Sequence, residues 1–338
     1  MNNSKYSRQE LFYGIGKEGQ KLIRKKHAVI IGAGALGSIA SETLVRAGIG
    51  KLTIIDRDFV EPSNLHRQQL FTENDAEKSM PKAEAARKKL QEINSDSVIH
   101  SVVGEVDYAV LSDALPADIV IDALDNFDTR MFINDFCSKH GIPWVHGAVV
   151  ASYGLSLTVL PGKTPCLHCL MESIPLGTDT CDTVGVISPV VQMVSANQTA
   201  EALKILTEST AALRQTFVSF DLWKNETAAI NVETLKNPNC PSCGEQAVYP
   251  YLQAENRAKS IELCGRDAVM VRPGKKQSVS FSEIKSRYTK QLKQHNDHLI
   301  VLMIEDRRFV IFRDGRTIIH GEQDKKKAQL LYNKYIGG

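Results

Sequence analysis

The stretch Ala28-Val29-Ile30-Ile31-Gly32-Ala33-Gly34-Ala35-Leu36-Gly37 decides the fold. Residues 28–31 read as a buried strand, and a helix is predicted over 38–47, ended by Gly48 and Gly50. The glycines Gly32, Gly34 and Gly37 therefore form GxGxxG between a strand and a helix. That arrangement lets backbone N–H groups approach phosphates at a helix N-terminus. The next strand is predicted over 52–55. Asp56 follows it, at the place where a carboxylate binds ribose hydroxyls. A tight turn with close helix–sheet packing would explain the glycines but not Asp56.

The pattern continues outward. Pro81 opens a helix through about residue 93, strands are predicted at 98–103 and 118–121, and a helix over 129–140. Strands alternating with helices imply a parallel sheet covered on both faces. After Pro143 the pattern changes. Strands at 144–150 and 155–160 are expected with a turn at Tyr153-Gly154, then a helix over 188–208 and a hairpin of 216–221 with 227–232. Residues 261–338 read as strand, helix, two or three strands and helix. The predicted fold is α/β: a Rossmann-like, mostly parallel sheet with helices on both faces, continued by antiparallel strands, plus a small C-terminal α+β unit.

The chain has 338 residues, enough for about two domains at roughly 150 residues each. Hydrophobic residues at 43% and charged residues at 24% exclude a disordered or collagen-like chain. The net charge of +2 gives no global field for nucleic acid or membrane. Charge is uneven, however: residues 250–338 hold 18 Lys and Arg against 10 Asp and Glu. This seam divides an expected nucleotide-binding domain, 1–249, from a basic C-terminal domain, 250–338. The N-terminus has no apolar signal core. The uncharged run 141–162 is broken by Pro143, His146, Gly147 and Gly154, which favour strands over a membrane span. The chain is expected to be cytoplasmic.

A polar segment leaves the second strand: Asp58-Phe59-Val60-Glu61-Pro62-Ser63-Asn64-Leu65-His66-Arg67-Gln68-Gln69. Lys82 follows Pro81, and a later strand ends in Asp122-Ala123-Leu124-Asp125-Asn126. Asn64, Arg67, Gln68, Lys82 and Asp125 are expected at the carboxyl edge of the sheet, where open α/β folds bind ligands. Hydride transfer needs no cations around phosphates, whereas attack on an α-phosphate does. Arg67 and Lys82 suit the spreading negative charge, and Asp125 suits Mg²⁺. Taken singly, Arg67 or Lys82 would pass for a solvated surface charge.

Four of the seven cysteines form two CxxC pairs, Cys166/Cys169 and Cys240/Cys243. Two such hooks suit a closed tetrahedral Zn²⁺ site of structural type. His168 is then not needed as a ligand. Neither pair is expected to open a helix after a strand, which argues against a thioredoxin-like redox role. Cys137 and Cys264 read as small core residues. Cys181 stands in a polar segment, 177–185, expected to form a crossover loop. It is either a nucleophile or an incidental thiol, which Asp179 and Asp182 would make less acidic.

The runs Ser7-Arg8-Gln9, GAGALG, Asp56-Arg57-Asp58, Ser63-Asn64-Leu65-His66-Arg67-Gln68, Pro81-Lys82 and Asp125-Asn126 together resemble the MoeB/ThiF adenylyltransferases, relatives of ubiquitin-activating enzymes. The resemblance covers about residues 7–244. It implies adenylation of the C-terminal glycine of a ubiquitin-like sulfur carrier ending in Gly-Gly, for molybdenum cofactor or thiamine biosynthesis. It further implies MgATP as substrate and pyrophosphate as product. The glycine loop, Asp56, Asp58, Asn64, Arg67, Gln68, Lys82, Asp125 and Asn126 would surround ATP. Arg8 would reach the ATP of a neighbouring subunit, which implies a homodimer. Cys181 matches a cysteine that serves thioester or persulfide chemistry in some members, with a cysteine desulfurase as a possible sulfur donor. The sequence departs at Arg57, where relatives often carry an apolar residue. Two rival functions stand beside this one: an NAD-dependent oxidoreductase, resting on GxGxxG and Asp56 alone, and a non-catalytic nucleotide-binding scaffold.

Overall fold

The computed structural model describes residues 5–171, 184–253, 260–263, 268–272 and 279–336. They belong to two compact units, Met1–Ala254 and Glu255–Gly338. The first unit is built on an eight-stranded sheet in the order β3-β2-β1-β4-β5-β6-β7-β8. Its strands are β1 (His27–Ile31), β2 (Lys51–Asp56), β3 (Val98–Val103), β4 (Ile119–Asp122), β5 (Trp144–Val150), β6 (Tyr153–Val159), β7 (Thr216–Asp221) and β8 (Glu226–Asn231). The first five pair in parallel, and β5 to β8 pair antiparallel.

Alternation along β1 shows why this sheet needs two cores. Ala28 and Ile30 pack on one face with Leu36, Leu44, Leu90 and Val194. Val29 and Ile31 pack on the other with Phe132, Phe136 and Trp144. A strand buried on both faces reads as a near-continuous apolar run, as β1 does from Ala28 to Ile31, while the buried His27 at its start is satisfied by the Pro116 carbonyl and Thr53 Oγ1. The helices Ala35–Ala47, Lys82–Ile93 and Ser188–Leu206 supply the first core, and Phe127–His140 supplies much of the second.

The sheet order places β2 and β4 on opposite sides of β1. The crevice at the carboxyl ends of β1 and β4 is thus a topological switch point. Two local expectations differ from the structure. The first-crossover helix begins at Ala35, not residue 38, so Gly37 lies inside its first turn. The β5–β6 turn is centred on Ala151-Ser152, with Ala151 at φ 53°, not on Tyr153-Gly154.

The second unit carries a six-stranded antiparallel sheet, order β11-β12-β13-β14-β10-β9. Its strands are β9 (Ser260–Leu263), β10 (Ala268–Val271), β11 (Leu292–His295), β12 (Leu299–Ile304), β13 (Arg307–Phe312) and β14 (Thr317–His320). Helices Phe281–Arg287 and Lys325–Tyr335 pack on it through Phe281, Ile284, Leu331 and Tyr332. This is more strand than the sequence pattern predicted. Among the described residues, no helix is long and apolar enough to cross a membrane.

Candidate active site

The glycine loop is compact because its backbone folds onto itself. A Cβ on Gly37 would lie 1.8 Å from the Gly32 carbonyl oxygen, so the first helical turn sits directly on the strand end. Gly32 has φ +95°, and a Cβ there would lie 2.5 Å from the Ala123 carbonyl oxygen. A side chain at either position would break this packing. The loop after β1 therefore touches the segment after β4. Gly34 precedes the helix Ala35–Ala47 as its N-cap.

Asp56 ends β2 and locks this loop from the side. Its Oδ2 accepts from the Ala33 N–H at 2.6 Å, and its Oδ1 from the Asp58 N–H at 2.6 Å. Burial pushes the Asp56 carboxyl above its ordinary range, Lys82 opposing and Asp58 adding to the effect. Lys82, buried in the first turn of Lys82–Ile93, lies 3.4 Å from Asp58 Oδ2. The Lys82 N–H also donates to the Asp58 carbonyl at 2.9 Å, so the helix start is fixed to the end of β2. Arg57 pairs with Glu105 at 3.3 Å. Burial opposes its charge, but Asp58, Glu105, Asp125 and Asp56 together hold the guanidinium above its ordinary range. These carboxylates and cations thus share one field at the sheet edge.

Asn64 is buried at the end of the 3-10 turn Pro62–Asn64, where its Oδ1 accepts from the Glu61 N–H. Gln68 is buried beside the glycine loop, its Nε2 3.7 Å from where a Gly34 Cβ would stand. Its Oε1 is buried with no hydrogen-bond partner among the described residues, a vacant acceptor at the edge of the crevice. The Arg67 guanidinium donates to the Ser63 carbonyl at 2.9 Å.

Asp125 is exposed, with Asn126 Nδ2 3.5 Å from its Oδ1. Asn126 caps the helix Phe127–His140 through Thr129 N–H at 3.0 Å, a duty the sequence analysis did not foresee. Behind them lies a buried group that the sequence analysis also missed. His146 Nδ1 lies 2.6 Å from Asp122 Oδ2, and Arg130 Nε lies 3.4 Å from the same oxygen. Gln198 Nε2 donates to the Asp122 and Val145 carbonyls at 2.6 and 3.2 Å. Burial lowers the His146 pKa, against the pull of Asp122.

The two CxxC hooks meet. Cys166 Sγ lies 3.8 Å from Cys169 and 3.7 Å from Cys240, and Cys169 lies 3.5 Å from Cys243. All four sulfurs lie within 4.8 Å of one another. Zn–S bonds of about 2.3 Å in a tetrahedron require sulfur–sulfur edges of about 3.8 Å, so the set fits zinc. Contrary to expectation, the first hook does open a helix, Leu167–Met171, though only a five-residue one. His168 is engaged elsewhere, with Nδ1 2.9 Å from Ser242 Oγ. Cys137 is buried, and burial raises its thiol pKa.

Arg8 is exposed on the short helix Ser7–Glu10. Its neighbour Gln9 donates to the Ala47 carbonyl at 2.9 Å. Ala47 closes a helix of 13 residues that begins at the glycine loop, about 20 Å away along the helix. Arg8 therefore stands at the far end of its own chain's sheet. Cys181 and Cys264 lie outside the described residues.

The chain has counterparts among known proteins. The chain is 47% identical to the sulfur carrier protein ThiS adenylyltransferase of Bacillus subtilis, over 98% of this chain and 99% of that protein. It is 32% identical to the molybdopterin-synthase adenylyltransferase of Escherichia coli, over 71% of this chain and 96% of that one. A crystal structure of E. coli MccB with ATP superposes with a TM-score of 0.63 at 25% identity, over 72% of this chain and 75% of that one. The ThiF family pattern matches residues 6–242, the span that holds the glycine loop, Asp56, Lys82, Asp125 and all but the last of the four clustered cysteines, and the chain belongs to that family.

Proposed function

We propose that this chain is an adenylyltransferase that activates the C-terminal glycine of a ubiquitin-like sulfur carrier ending in Gly-Gly, serving thiamine or molybdenum cofactor biosynthesis. One observation carries the reading. The switch point carries the glycine loop, the buried Lys82 beside Asp58 and the vacant acceptor of Gln68, with Asp125 in the field of Arg57, and this supports a site for a polyphosphate and its cation. An oxidoreductase has no use for that set, and a degenerate scaffold would not be expected to keep it.

The residues divide the work as follows. Backbone N–H groups at the start of Ala35–Ala47 and the side chains of Asn64 and Gln68 orient ATP, with Asp56 and Asp58 on the ribose side. The carrier carboxylate attacks the α-phosphorus, and the bond to the departing pyrophosphate breaks. Lys82 and Arg67 neutralise the charge that develops on the phosphate oxygens. Asp125, with Asn126 beside it, would hold Mg²⁺, which supplies further neutralisation of the polyphosphate when bound. Cys166, Cys169, Cys240 and Cys243 would hold a structural Zn²⁺. These residues all lie in 1–249, and 250–338 form a separate basic domain in this reading.

A homodimer completes the site. Arg8 cannot reach its own crevice, and the residues that follow it, Leu11, Phe12 and Tyr13, are 74%, 53% and 95% exposed. Three consecutive exposed apolar side chains beside Arg8 fit an interface. Reduced thiols in a Cys₄ set fit the cytoplasm. Cys181 would act only after the acyl-adenylate exists, in sulfur transfer, with a cysteine desulfurase as donor.

The test is pyrophosphate exchange into ATP with the carrier present. Lys82→Ala and Asp125→Ala should each lower exchange by on the order of a hundredfold or more. Wild-type rates in both variants would overturn the mechanism.

A further inference from the structure

Asp125 has little of its own to hold it. It is exposed, and Asn126 Nδ2 at 3.5 Å from its Oδ1 is a marginal contact. Beyond the field it shares with Arg57, its direction comes from the backbone that carries it. That backbone is tied from behind. The Asp122 carboxylate accepts from the Leu124 N–H at 3.0 Å. Gln198 holds the Asp122 carbonyl. Arg130, one turn into the helix Phe127–His140, folds back so that its Nη2 donates to the Leu124 carbonyl and, at 3.3 Å, to the Gly147 carbonyl.

The Leu124 carbonyl belongs to the peptide unit that joins Leu124 to Asp125. Because that unit is planar, a bond to its oxygen restrains the plane from which Asp125 departs, together with the Leu124 N–H bond to Asp122. Gly147 lies in β5, so the same guanidinium references that plane to the rigid sheet. From the side, Gly32 abuts Ala123 and blocks collapse toward the glycine loop.

We propose that Arg130 is a positioning residue for Asp125: its guanidinium pins the Leu124–Asp125 peptide to β5 and so aims the Asp125 carboxylate at the divalent cation of the ATP complex. The inference rests on the reading of Asp125 as the Mg²⁺ residue. The shape of the guanidinium matters as much as its charge: Nη2 reaches both carbonyls while Nε stays 3.4 Å from Asp122 Oδ2. A lysine ammonium is a single point and cannot face the two carbonyls and Asp122 at once from the same planar frame.

The experiment compares Arg130→Lys, Asp125→Ala and the double variant, with Arg130→Gln as a second replacement that retains one donor. Mn²⁺ binding to the complex with a non-hydrolysable ATP analogue is followed by electron paramagnetic resonance. Pyrophosphate exchange with the carrier is measured across Mg²⁺ concentrations. Melting temperature and zinc content monitor the fold. Arg130→Lys should weaken Mn²⁺ binding about tenfold or more, and excess Mg²⁺ should restore most of the exchange rate. Misplacement by about an ångström can cost about a hundredfold. Nucleotide binding without metal should be unchanged. The double variant should bind Mn²⁺ no more weakly than Asp125→Ala alone, because Arg130 acts through Asp125.

Unchanged Mn²⁺ binding in folded Arg130→Lys and Arg130→Gln, with Asp125→Ala impaired, would overturn the role of Arg130 and leave that of Asp125 standing. Additive losses in the double variant would do the same. Unchanged Mn²⁺ binding in Asp125→Ala would overturn the Asp125 reading itself, and this inference with it.

Discussion

At the residue scale, Glu84 shows how one side chain secures a neighbour that matters more. It lies two positions after Lys82, in the first turn of Lys82–Ile93. Its carboxylate accepts from Arg87 at 2.9 and 2.6 Å and from Ser101 Oγ, in β3, at 2.8 Å. The Arg87 bonds lead in lowering its pKa from 4.5 to about 2. A carboxyl depressed in the fold stabilises it above the unfolded value and ceases to do so as pH falls through the folded value. The stability difference between wild type and Glu84→Gln should therefore be full above about pH 4.5 and vanish toward about pH 2. Urea unfolding across that window measures it, and a pH-independent difference would refute the assignment. No sequence pattern singled out Glu84, because its contact with Ser101 spans 17 positions and two elements.

At the element scale, the two hooks depend on one helix. Asn134 Oδ1 accepts from the Leu167 N–H at 2.8 Å, between Cys166 and Cys169. Asp135 bonds Ser242, between Cys240 and Cys243, and accepts from the Tyr251 N–H at 2.8 Å. Consecutive residues of Phe127–His140 thus hold both hooks. About one Zn²⁺ per chain is expected in native protein, and Cys240→Ser should lose it together with several degrees of melting temperature. Metal analysis of gently purified protein checks this, and a metal-free, fully stable chain would contradict it.

The same scale shows what the sequence made legible. Strands 98–103, 144–150 and 216–221 match at both ends, because they are runs rich in β-branched and aromatic residues, which suit a pleated, half-buried surface. The early start of Ala35–Ala47 was hidden by glycine, which has poor helix propensity and is tolerated at position 37 only because the turn packs against Gly32. The motif residues Gly32, Asp56, Lys82 and Asp125 announced themselves by type and spacing. Arg130, His146 and Gln198 did not. Their meaning arises from contacts such as Gln198 to Asp122, 76 positions apart, which no local pattern encodes.

At the scale of the whole molecule, a shared site has a genetic signature. An Arg8→Ala chain and a Lys82→Ala chain should each be strongly impaired alone. Mixed, they should regain part of the wild-type exchange rate, since one of the two heterodimer sites has both residues intact. Heterodimers that form without regaining activity would refute the shared site. The helix Phe127–His140 carries a second molecular consequence. Its N-terminal end is capped by Asn126 beside Asp125, and its middle suspends both cysteine hooks. Whatever restrains the N-terminal end of this beam restrains its middle, and thermodynamic reciprocity then runs both ways. Nucleotide at the crevice should slow the escape of zinc to a chelator, and zinc should tighten the grip on nucleotide. A metal of purely architectural chemistry would in this way act as a silent effector of the reaction at the N-terminal end of the helix.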